Sequence, residues 1–231
     1  MPRRWRVLLD AEGLFIKVSG LTSEADTLFA IALGANAVGF DFGPTPRQIS
    51  TTVAHDIVRR LPAGVASVGI FHSEMPERIV EITNTLGLSA VQIEGAMSKT
   101  SIRYVAERVN TVIRAVGRPE EAYEYEADLG VDYLLMPESD RHEDMIASLS
   151  VIDDPLLLRP VIAAGLDPSS VVGLVQNYDV WGVDALAGIE SEPGVKDPVK
   201  MGEFIAQARW AYENATVARR SWPATRRERN L

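Results

Sequence analysis

The sequence predicts a single (β/α)₈ barrel (TIM barrel), and three observations favour this α/β fold class. Short apolar runs alternate with longer amphipathic ones, which is typical of βαβ units that build a parallel sheet. Three similar passages, LGANAV, LGLSAV and LGVDYL, place Gly34, Gly87 and Gly130 where a helix gives way to a strand. Glycine is the usual left-handed residue at a helix end, so the recurrence indicates a repeated turn. The 231 residues are close to the roughly 250 of such a barrel.

The predicted elements alternate along the whole chain. Strands are predicted from short apolar runs at 15–19, 37–42, 66–71, 90–93, 111–115, 133–136, 160–163 and 180–185. Helices are predicted from amphipathic runs at 23–33, 51–61, 77–86, 100–109, 119–129, 143–148, 168–175 and 198–211. Ser23 before the acidic Glu24 and Asp26 suits a helix start, as do Asp167 and Pro168 in GLDPSSV. Eight such units favour a closed barrel over an open sheet.

No linker rich in Pro or Ser divides the chain, so the sequence predicts one domain over residues 1–231. Residues 1–13 are interpreted as a short N-terminal extension. Their apolar run is broken by Asp10 and Glu12 and does not resemble a secretory signal. Residues from about 215 to 231 are basic and without periodicity, which predicts a disordered tail, with a binding arm as the alternative.

The composition excludes several classes of function. A net charge of −9 argues against binding to nucleic acid or to an anionic membrane. With no cysteine, the chain has no disulfide, no thiolate metal site and no cysteine nucleophile. No run approaches the roughly 18 apolar residues of a membrane span. We therefore expect a cytoplasmic protein that is a monomer or a homodimer.

Two loops are candidates for binding an anion. In a barrel of this class, the loops that follow the strands form the site, and those after strands seven and eight usually bind phosphate. Here they contain Ala164 and Gly165 in AAGLDP, and Ala187 and Gly188 in DALAGIE. Small residues let backbone N–H groups approach an anion. The sequence thus predicts a phosphorylated small molecule as the ligand, unless the glycines only form turns.

Several motifs, in one order from about residue 15 to residue 210, resemble the phosphoribosylanthranilate isomerase family of tryptophan biosynthesis. FIKVSGLTSEADTLFAIALGANAVGFDFGPTPRQIS is similar to the family's opening, with its Lys-Ile-Cys-Gly-Leu, Gly-Ala-Asp-x-x-Gly-Phe and Ser-Pro-Arg-x-Val-Ser motifs. VQIEG, YLLMPES, VIAAGLDPSSV and GVDALAGIESEPGVKDPVKMGEFI resemble later family motifs. Short motifs in a shared order are far more specific than any one of them alone.

The resemblance implies an Amadori rearrangement of a phosphoribosyl amine, which needs neither cofactor nor metal. A general acid protonates the ring oxygen, and the sugar opens to a Schiff base. A general base then removes the C2 proton, giving an enol-amine and finally the ketone. The resemblance assigns the base to a cysteine after the first strand and the acid to an aspartate that ends the sixth. An active member is an aldose–ketose type isomerase, that is, an intramolecular oxidoreductase.

This sequence departs from the family at both catalytic positions, which here are Ser19 and Met136. A serine hydroxyl is a poor base unless another base activates it, and a thioether transfers no proton. The loss of one such partner costs about 10²–10⁴ in rate. Other implied contacts are kept. By resemblance, Arg47 contacts the anthranilate carboxylate. The remaining implied substrate-binding residues are Lys17, Gln92 and Asp184.

Two carboxylates are candidates for a relocated acid–base pair. Asp41 lies between Phe40 and Phe42, and Glu94 stands where the family has histidine. Period-two alternation puts Lys17 on the face of Ser19, and Gln92 on the face of Glu94. The structural alternatives are that Asp41 pairs with Lys17 or Arg47, that Glu94 is a hydrogen-bonded rim residue, and that Lys17 pairs with Asp184. His72 and His142 are interpreted as solvated loop residues.

Three interpretations of function remain open at this point. The preferred one is a diverged member that binds a phosphorylated sugar derivative, with standard isomerase activity weak or absent. The second is an active isomerase that uses Asp41 and Glu94. The third is a related enzyme that acts on another phosphosugar.

Overall fold

The computed structural model describes residues 13–117, 121, 129–136 and 161–217. In these ranges eight parallel strands form a closed barrel in chain order, because β1 pairs with both β2 and β8. The strands are β1 Phe15–Val18, β2 Ala37–Asp41, β3 Ala66–Phe71, β4 Ala90–Ile93, β5 Val112–Ala115, β6 Tyr133–Met136, β7 Val161–Ala163 and β8 Gly182–Ala185. All eight overlap the predicted strands, and the predicted fold class is confirmed.

Six α-helices lie in the described ranges, and each overlaps a predicted helix. They are α1 Glu24–Ala32, α2 Thr51–Val58, α3 Pro76–Leu86, α4 Lys99–Ala106, α5 Val171–Asn177 and α6 Pro198–Glu213. The predicted helices at 119–129 and 143–148 lie outside the described residues, apart from 121 and 129. No helix of the described ranges is long and apolar enough to cross a membrane.

Most residues of the predicted N-terminal extension and of the predicted C-terminal tail lie outside the described ranges, which omit 1–12 and 218–231. Residues 215–217, assigned from sequence to the disordered tail, are described. Thr216 donates from its backbone N–H and from its hydroxyl to the carbonyl of Gln176. The first residues of the predicted tail are therefore attached to the end of α5.

The turns that lead from helix to strand explain why the barrel repeats. Gly34, Gly87 and Gly130 have φ angles of 99°, 67° and 74°, so all three adopt the left-handed conformation that their recurrence predicts. A side chain at these positions would be strained. Gly34 and Gly87 thus reverse the chain from a helix to the next strand, and Gly130 precedes β6 in the same conformation.

Strand alternation divides the apolar core into two layers. An inner cluster comes from the strands and the loop that follows β7, and consists of Phe15, Ala37, Ala66, Val68, Ala90, Ile113, Tyr133, Leu135, Ile162 and Ala164. The outer cluster joins the opposite strand faces to the helices. Near the amino ends of the strands Trp181 contacts Phe15 and Tyr133, with ring centroids 4.6 Å and 4.5 Å away. Aromatic rings therefore fill that end of the barrel.

The structure departs from the predicted elements in the last third of the chain. Helix α5 begins at Val171, because Pro168 lies in a turn that the Asp167 carboxylate caps by accepting from Ser169 and Ser170. A 3₁₀ turn at Ala187–Ile189 and a hairpin of β9 (Glu190–Glu192) and β10 (Val195–Lys196) follow β8. These short segments have no apolar period from which they could be predicted.

The start of α6 offers a test of local stability. The Asp197 carboxylate accepts hydrogen bonds from the N–H groups of Val199 and Lys200. We expect Asp197→Ala to lower the free energy of unfolding by about 1 kcal/mol, because two helix donors lose their acceptor. Urea denaturation measures the change. Glu203→Ala, at an exposed position of the same helix, is the matched control and is expected to stay within about 0.5 kcal/mol of wild type.

Candidate functional site

Polar side chains collect at the carboxyl ends of the strands, where the barrel opens; we call this opening the mouth. Lys17, Asp41, Gln92 and Asp184 are each at most 5% exposed. Because a buried charge or amide is costly without partners, so many polar groups inside one barrel need mutual contacts. Active sites of barrel enzymes lie at this same end.

One group of contacts joins β1 to β8. The Lys17 ammonium donates to Asp184 Oδ2 at 2.6 Å and to Ser19 Oγ at 2.5 Å, and the Ser19 hydroxyl donates to Asp184 Oδ1 at 2.8 Å. The strand register aligns Lys17 with Asp184. A Cβ at Gly39 would lie 2.8 Å from Ser19 Oγ, so glycine leaves the room that the hydroxyl needs. We call these three residues the Lys17 network.

The Lys17 network contains the ion pair that was the structural alternative for Lys17 and Asp184. It also fixes Ser19, which is 1% exposed. The serine oxygen accepts from an ammonium and donates its proton to a carboxylate, so both of its hydrogen-bonding functions are occupied. A hydroxyl held in this way has little capacity to take a proton from a ligand.

A second group of contacts joins the ends of β2, β3 and β4. His72 Nε2 lies 3.0 Å from Asp41 Oδ1, and His72 Nδ1 lies 3.4 Å from Glu94 Oε2. Gln92 Nε2 donates to Glu94 Oε1 at 2.7 Å. We call Asp41, His72, Gln92 and Glu94 the His72 cluster. Among the described residues, no three His, Asp or Glu side chains are placed to hold one metal ion.

The structural alternative for Asp41 was wrong about its partners. Asp41 pairs with neither Lys17 nor Arg47; instead it accepts from His72, from Gly43 N at 2.9 Å and from the Thr45 hydroxyl at 2.8 Å. His72 lies in the loop after β3, as predicted, but its side chain is only 28% exposed and contacts two carboxylates. His142 lies outside the described residues.

The signal for His72 was present in the sequence. Val68 faces the barrel interior, and period-two alternation along β3 places Ile70 and then His72 on the same face. The same rule related Gln92 to Glu94. Glycines also flank the imidazole in space, since a Cβ at Gly43 would lie 2.3 Å from His72 Cδ2.

A third group of contacts surrounds Arg47. Its guanidinium donates to both Glu190 oxygens, with Nη2 2.7 Å from Oε2 and Nε 2.9 Å from Oε1. Lys196 donates to Glu190 Oε1 and to the Leu186 carbonyl, both at 2.9 Å. We call Arg47, Glu190 and Lys196 the Arg47 network. The sequence analysis did not single out Glu190, which is 6% exposed.

The charges of the Arg47 network set the protonation of its members. Burial alone raises the pKa of Glu190, but hydrogen bonds from Arg47 and Lys196 outweigh burial and hold that pKa below its usual value. The hydrogen bond to Glu190 raises the pKa of Arg47. Burial lowers the pKa of Lys196, and its bond to Glu190 offsets only part of this effect. The network therefore favours an ionised Glu190.

The hairpin of β9 and β10 carries Glu190 and Lys196 to the loop of Arg47. A Cβ at Gly194, in the hairpin turn, would lie 2.6 Å from the Pro46 carbonyl oxygen. Glycine at this position has a φ of +88° and permits the close approach of the two backbones. The hairpin thus packs directly against the residue before Arg47.

The two loops predicted to bind phosphate lie against each other. A Cβ at Gly188 would meet the Leu166 carbonyl oxygen at 2.4 Å, so this glycine is required where the loops touch. Ala187 and Gly188 open the 3₁₀ turn, and the first N–H groups of a helical turn have no acceptor inside it. Gly165 has a φ of 80°, and Ala164 closes the inner cluster.

Met136 lies away from these groups. Its side chain belongs to the outer cluster, whereas the neighbouring Leu135 belongs to the inner one. Residues 137–160 are outside the described ranges. At position 136 the chain therefore places a buried, apolar side chain in the outer cluster.

Comparisons with known proteins match one family along most of the chain. The sequence model for N-(5′-phosphoribosyl)anthranilate isomerase matches residues 16–207. A protein of that name from Desulforudis audaxviator is 33% identical over 204 residues, covering 85% of this chain and 98% of the relative. The crystal structure of phosphoribosyl anthranilate isomerase from Thermotoga maritima gives a TM-score of 0.76 at 31% identity, covering 85% of this chain and 99% of its own.

A further solved structure carries a bound molecule. It is a phosphoribosyl anthranilate isomerase in complex with reduced 1-(o-carboxyphenylamino)-1-deoxyribulose 5-phosphate. It matches with a TM-score of 0.74 at 31% identity, over 85% of this chain and 99% of its own. In that neighbour, the barrel accepts a ligand that has a phosphate at one end and a carboxylate at the other.

The Lys17 network predicts a particular pattern of stability. Asp184→Asn would leave the Lys17 ammonium buried without a carboxylate, and we expect it to lower the free energy of unfolding by about 3–5 kcal/mol. Adding Lys17→Met removes the stranded charge and should restore part of this loss. Urea denaturation of wild type, both single variants and the double variant measures the coupling. Strictly additive losses would contradict the buried ion pair.

The Arg47 network predicts a dependence of stability on pH. Since the pKa of Glu190 is lower in the folded protein than its ordinary value of 4.5, its contribution is complete above that value. This contribution is lost as the pH falls through the lower, folded value. Urea midpoints measured from about pH 7 to about pH 3 should therefore fall less steeply for Glu190→Gln than for wild type. Glu213→Gln, at an exposed site, should follow the wild-type slope.

Proposed function

This chain belongs to the phosphoribosylanthranilate isomerase family, and on that premise we propose that it binds a phosphorylated sugar derivative while standard isomerase turnover is weak or absent. The ligand lies across the mouth of the barrel. Its phosphate lies over the loops after β7 and β8, and its other end points towards Arg47.

The phosphate end is supported by the backbone of the two loops. Ala187 and Gly188 offer N–H groups at the start of a 3₁₀ turn. Gly165, next to Ala164, has a positive φ angle and no Cβ, so the backbone can turn sharply at this point. N–H groups in such turns form concavities that suit an anion. The side chains of Leu186 and Ala187 supply no hydroxyl donors, so phosphate binding would depend on the main chain.

The carboxylate end is supported by the geometry of Arg47. Glu190 occupies the edge of the guanidinium formed by Nε and Nη2. Within the described ranges Nη1 makes no hydrogen bond that would compete with a ligand, and the side chain is 18% exposed. Because a guanidinium has five N–H donors, Arg47 can hold Glu190 and still bind a ligand carboxylate.

The proposal that isomerase turnover is weak or absent rests on one observation. Neither of the two family catalytic positions has a group that is free to transfer a proton at the mouth. Ser19 is hydrogen-bonded between Lys17 and Asp184. Met136 packs in the outer cluster, and a thioether has no proton to give. Met136→Asp is consequently not a suitable rescue variant, because it would bury a carboxylate among apolar side chains.

A second candidate function is favoured by a different observation. The His72 cluster brings Asp41 and Glu94, the two carboxylates singled out in the sequence, to the same imidazole. An isomerase with relocated groups would draw on this cluster.

Calorimetry and a turnover assay test the proposed function together. We expect the reduced 1-(o-carboxyphenylamino)-1-deoxyribulose 5-phosphate to bind with a Kd of micromolar order. The matched ligand without its phosphate should bind about 100-fold more weakly, since charge-assisted hydrogen bonds contribute roughly 1.5–3 kcal/mol each. Turnover of phosphoribosylanthranilate should be at least about 100-fold slower than for a member that has both catalytic groups.

Two outcomes would contradict the proposal. Absence of measurable binding would remove the phosphosugar as the ligand. Turnover equal to that of members with the cysteine and the aspartate would show that Ser19 and Met136 do not limit the reaction.

A further inference from the structure

We propose that Glu94 transfers a proton to and from the bound sugar derivative, and that His72 exchanges this proton with solvent. Asp41 and Gln92 hold the two groups in position. This proposal rests on the proposed function, because the substrate is the phosphorylated ketose or imine bound at the mouth. It concerns the proton transfer that remains once Ser19 and Met136 are set aside.

Glu94 is placed as the member of the His72 cluster that meets a ligand. Its side chain is 30% exposed, while that of Asp41 is only 7% exposed. Gln92 donates to Glu94 Oε1 at 2.7 Å, and His72 Nδ1 faces Glu94 Oε2 at 3.4 Å. The carboxylate is therefore oriented from two sides and still reaches the solvent of the mouth.

The imidazole between two carboxylates makes the proton transferable. An imidazole donates through both nitrogens only when it is protonated, and a carboxylate accepts only when it is ionised. If His72 gives its Nδ1 proton to Glu94, the Nε2 proton remains directed at Asp41, 3.0 Å away. One proton can thus belong to Glu94 or to His72, which lets Glu94 act as base and as acid.

Asp41 acts on His72 and not on the ligand. Its two oxygens accept from His72, from Gly43 N and from the Thr45 hydroxyl, and the residue is 5% exposed. A carboxylate with three donors has little capacity for a substrate. It fixes the ring orientation, as the carboxylate does in serine-protease triads.

The position of the imidazole is closely constrained. A Cβ at Gly43 would lie 2.3 Å from His72 Cδ2, and a Cβ at Gly95 would lie 3.0 Å from the His72 carbonyl oxygen. Larger residues at either position would displace His72. Gly43 therefore leaves the space that the ring occupies, and Gly95 lets the backbone of His72 approach.

Gln92 supplies an independent indication of a ligand. The residue is 2% exposed, and its Oε1 atom has no hydrogen-bond partner in the described part of the chain. Buried polar atoms are nearly always hydrogen-bonded. This amide oxygen belongs to the side chain that donates to Glu94, so a sugar hydroxyl that reached it would lie beside the carboxylate.

The His72 cluster also lies within reach of the sugar. The Ser19 side chain lies beside Gly39 of the neighbouring strand. Asp41 follows Gly39 by two residues, a distance of about 7 Å along a strand. The cluster thus lies about two residues further along the strand direction, nearer to the solvent of the mouth, than Ser19, the residue at the family's base position. A ligand held by its phosphate at the loops after β7 and β8 would cross the mouth towards it.

The proposed step is an enolisation that needs no other reactant. Glu94 removes a proton from the carbon between the nitrogen and the ketone carbon, and the C–H electron pair forms a C=C bond. The carbonyl electron pair moves onto oxygen, which gives an enolate. Return of the proton from Glu94 to the same carbon reverses the step. Between the two events His72 exchanges the proton with water.

Hydrogen–deuterium exchange tests the proposal. The probe is 1-(o-carboxyphenylamino)-1-deoxyribulose 5-phosphate, the ketone parent of the reduced analogue, held at saturation in D₂O. NMR follows the loss of its C1 protons. We expect wild type to catalyse exchange, Glu94→Gln to slow it at least 100-fold and His72→Asn about 10-fold or more. Glu81→Gln, at a 63% exposed carboxylate paired with Arg78, is the control with wild-type exchange.

Binding of the reduced analogue, measured on the same samples, separates chemistry from folding. Each variant should keep its affinity within about threefold of wild type, so that the loss lies in the exchange rate. Formate added to Glu94→Ala should recover part of the exchange, because a small acid can occupy the space of the missing carboxyl.

The outcomes separate this proposal from the proposed function. Binding with exchange unchanged in Glu94→Gln, or with no exchange in wild type, would overturn the role of Glu94 and leave the ligand assignment intact. Unchanged exchange in His72→Asn would overturn the relay. Failure of wild type to bind the analogue would overturn both proposals together.

Discussion

The ion pair between Lys17 and Asp184 is the constraint on which the mouth of the barrel depends. It lies where β1 meets β8, at the seam that closes the sheet. Two charges buried together must satisfy each other, because either one alone would be costly. The pair recruits the Ser19 hydroxyl as a third member. Ser19, which the resemblance places at the base position, is thus part of the structure that supports the site.

The polar groups of the mouth divide into two kinds. The Lys17 and Arg47 networks pair ammonium and guanidinium groups with carboxylates. The His72 cluster instead places an imidazole between two carboxylates, and histidine is the side chain that changes its protonation near neutral pH. The paired charges therefore lie around β1 and β8. The group proposed to exchange a proton, the His72 cluster, lies at the ends of β2 to β4.

The barrel could be predicted because its determinants are local. Apolar runs repeat, and Gly34, Gly87 and Gly130 mark the turns between helix and strand. The site could be predicted only in part, because it depends on contacts between segments that are distant in the sequence. Asp41 and Glu94 were recognised as unusual, but their shared partner His72 lies in the loop after a third strand, β3. Glu190 was missed because its importance comes from Arg47, which is 143 residues away. Motif alignment identified position 136 but could not reveal that its side chain packs in the outer cluster.

The contact between the hairpin and the loop of Arg47 has a consequence for how such a barrel can diverge. Gly194 lies against the Pro46 backbone with no space for a side chain, and Glu190 and Lys196 of the same hairpin hold Arg47. An insertion in either segment would separate the two and would leave the Glu190 carboxylate without the guanidinium of Arg47. The two segments therefore have to change together if Arg47 is to keep its carboxylate partner during divergence.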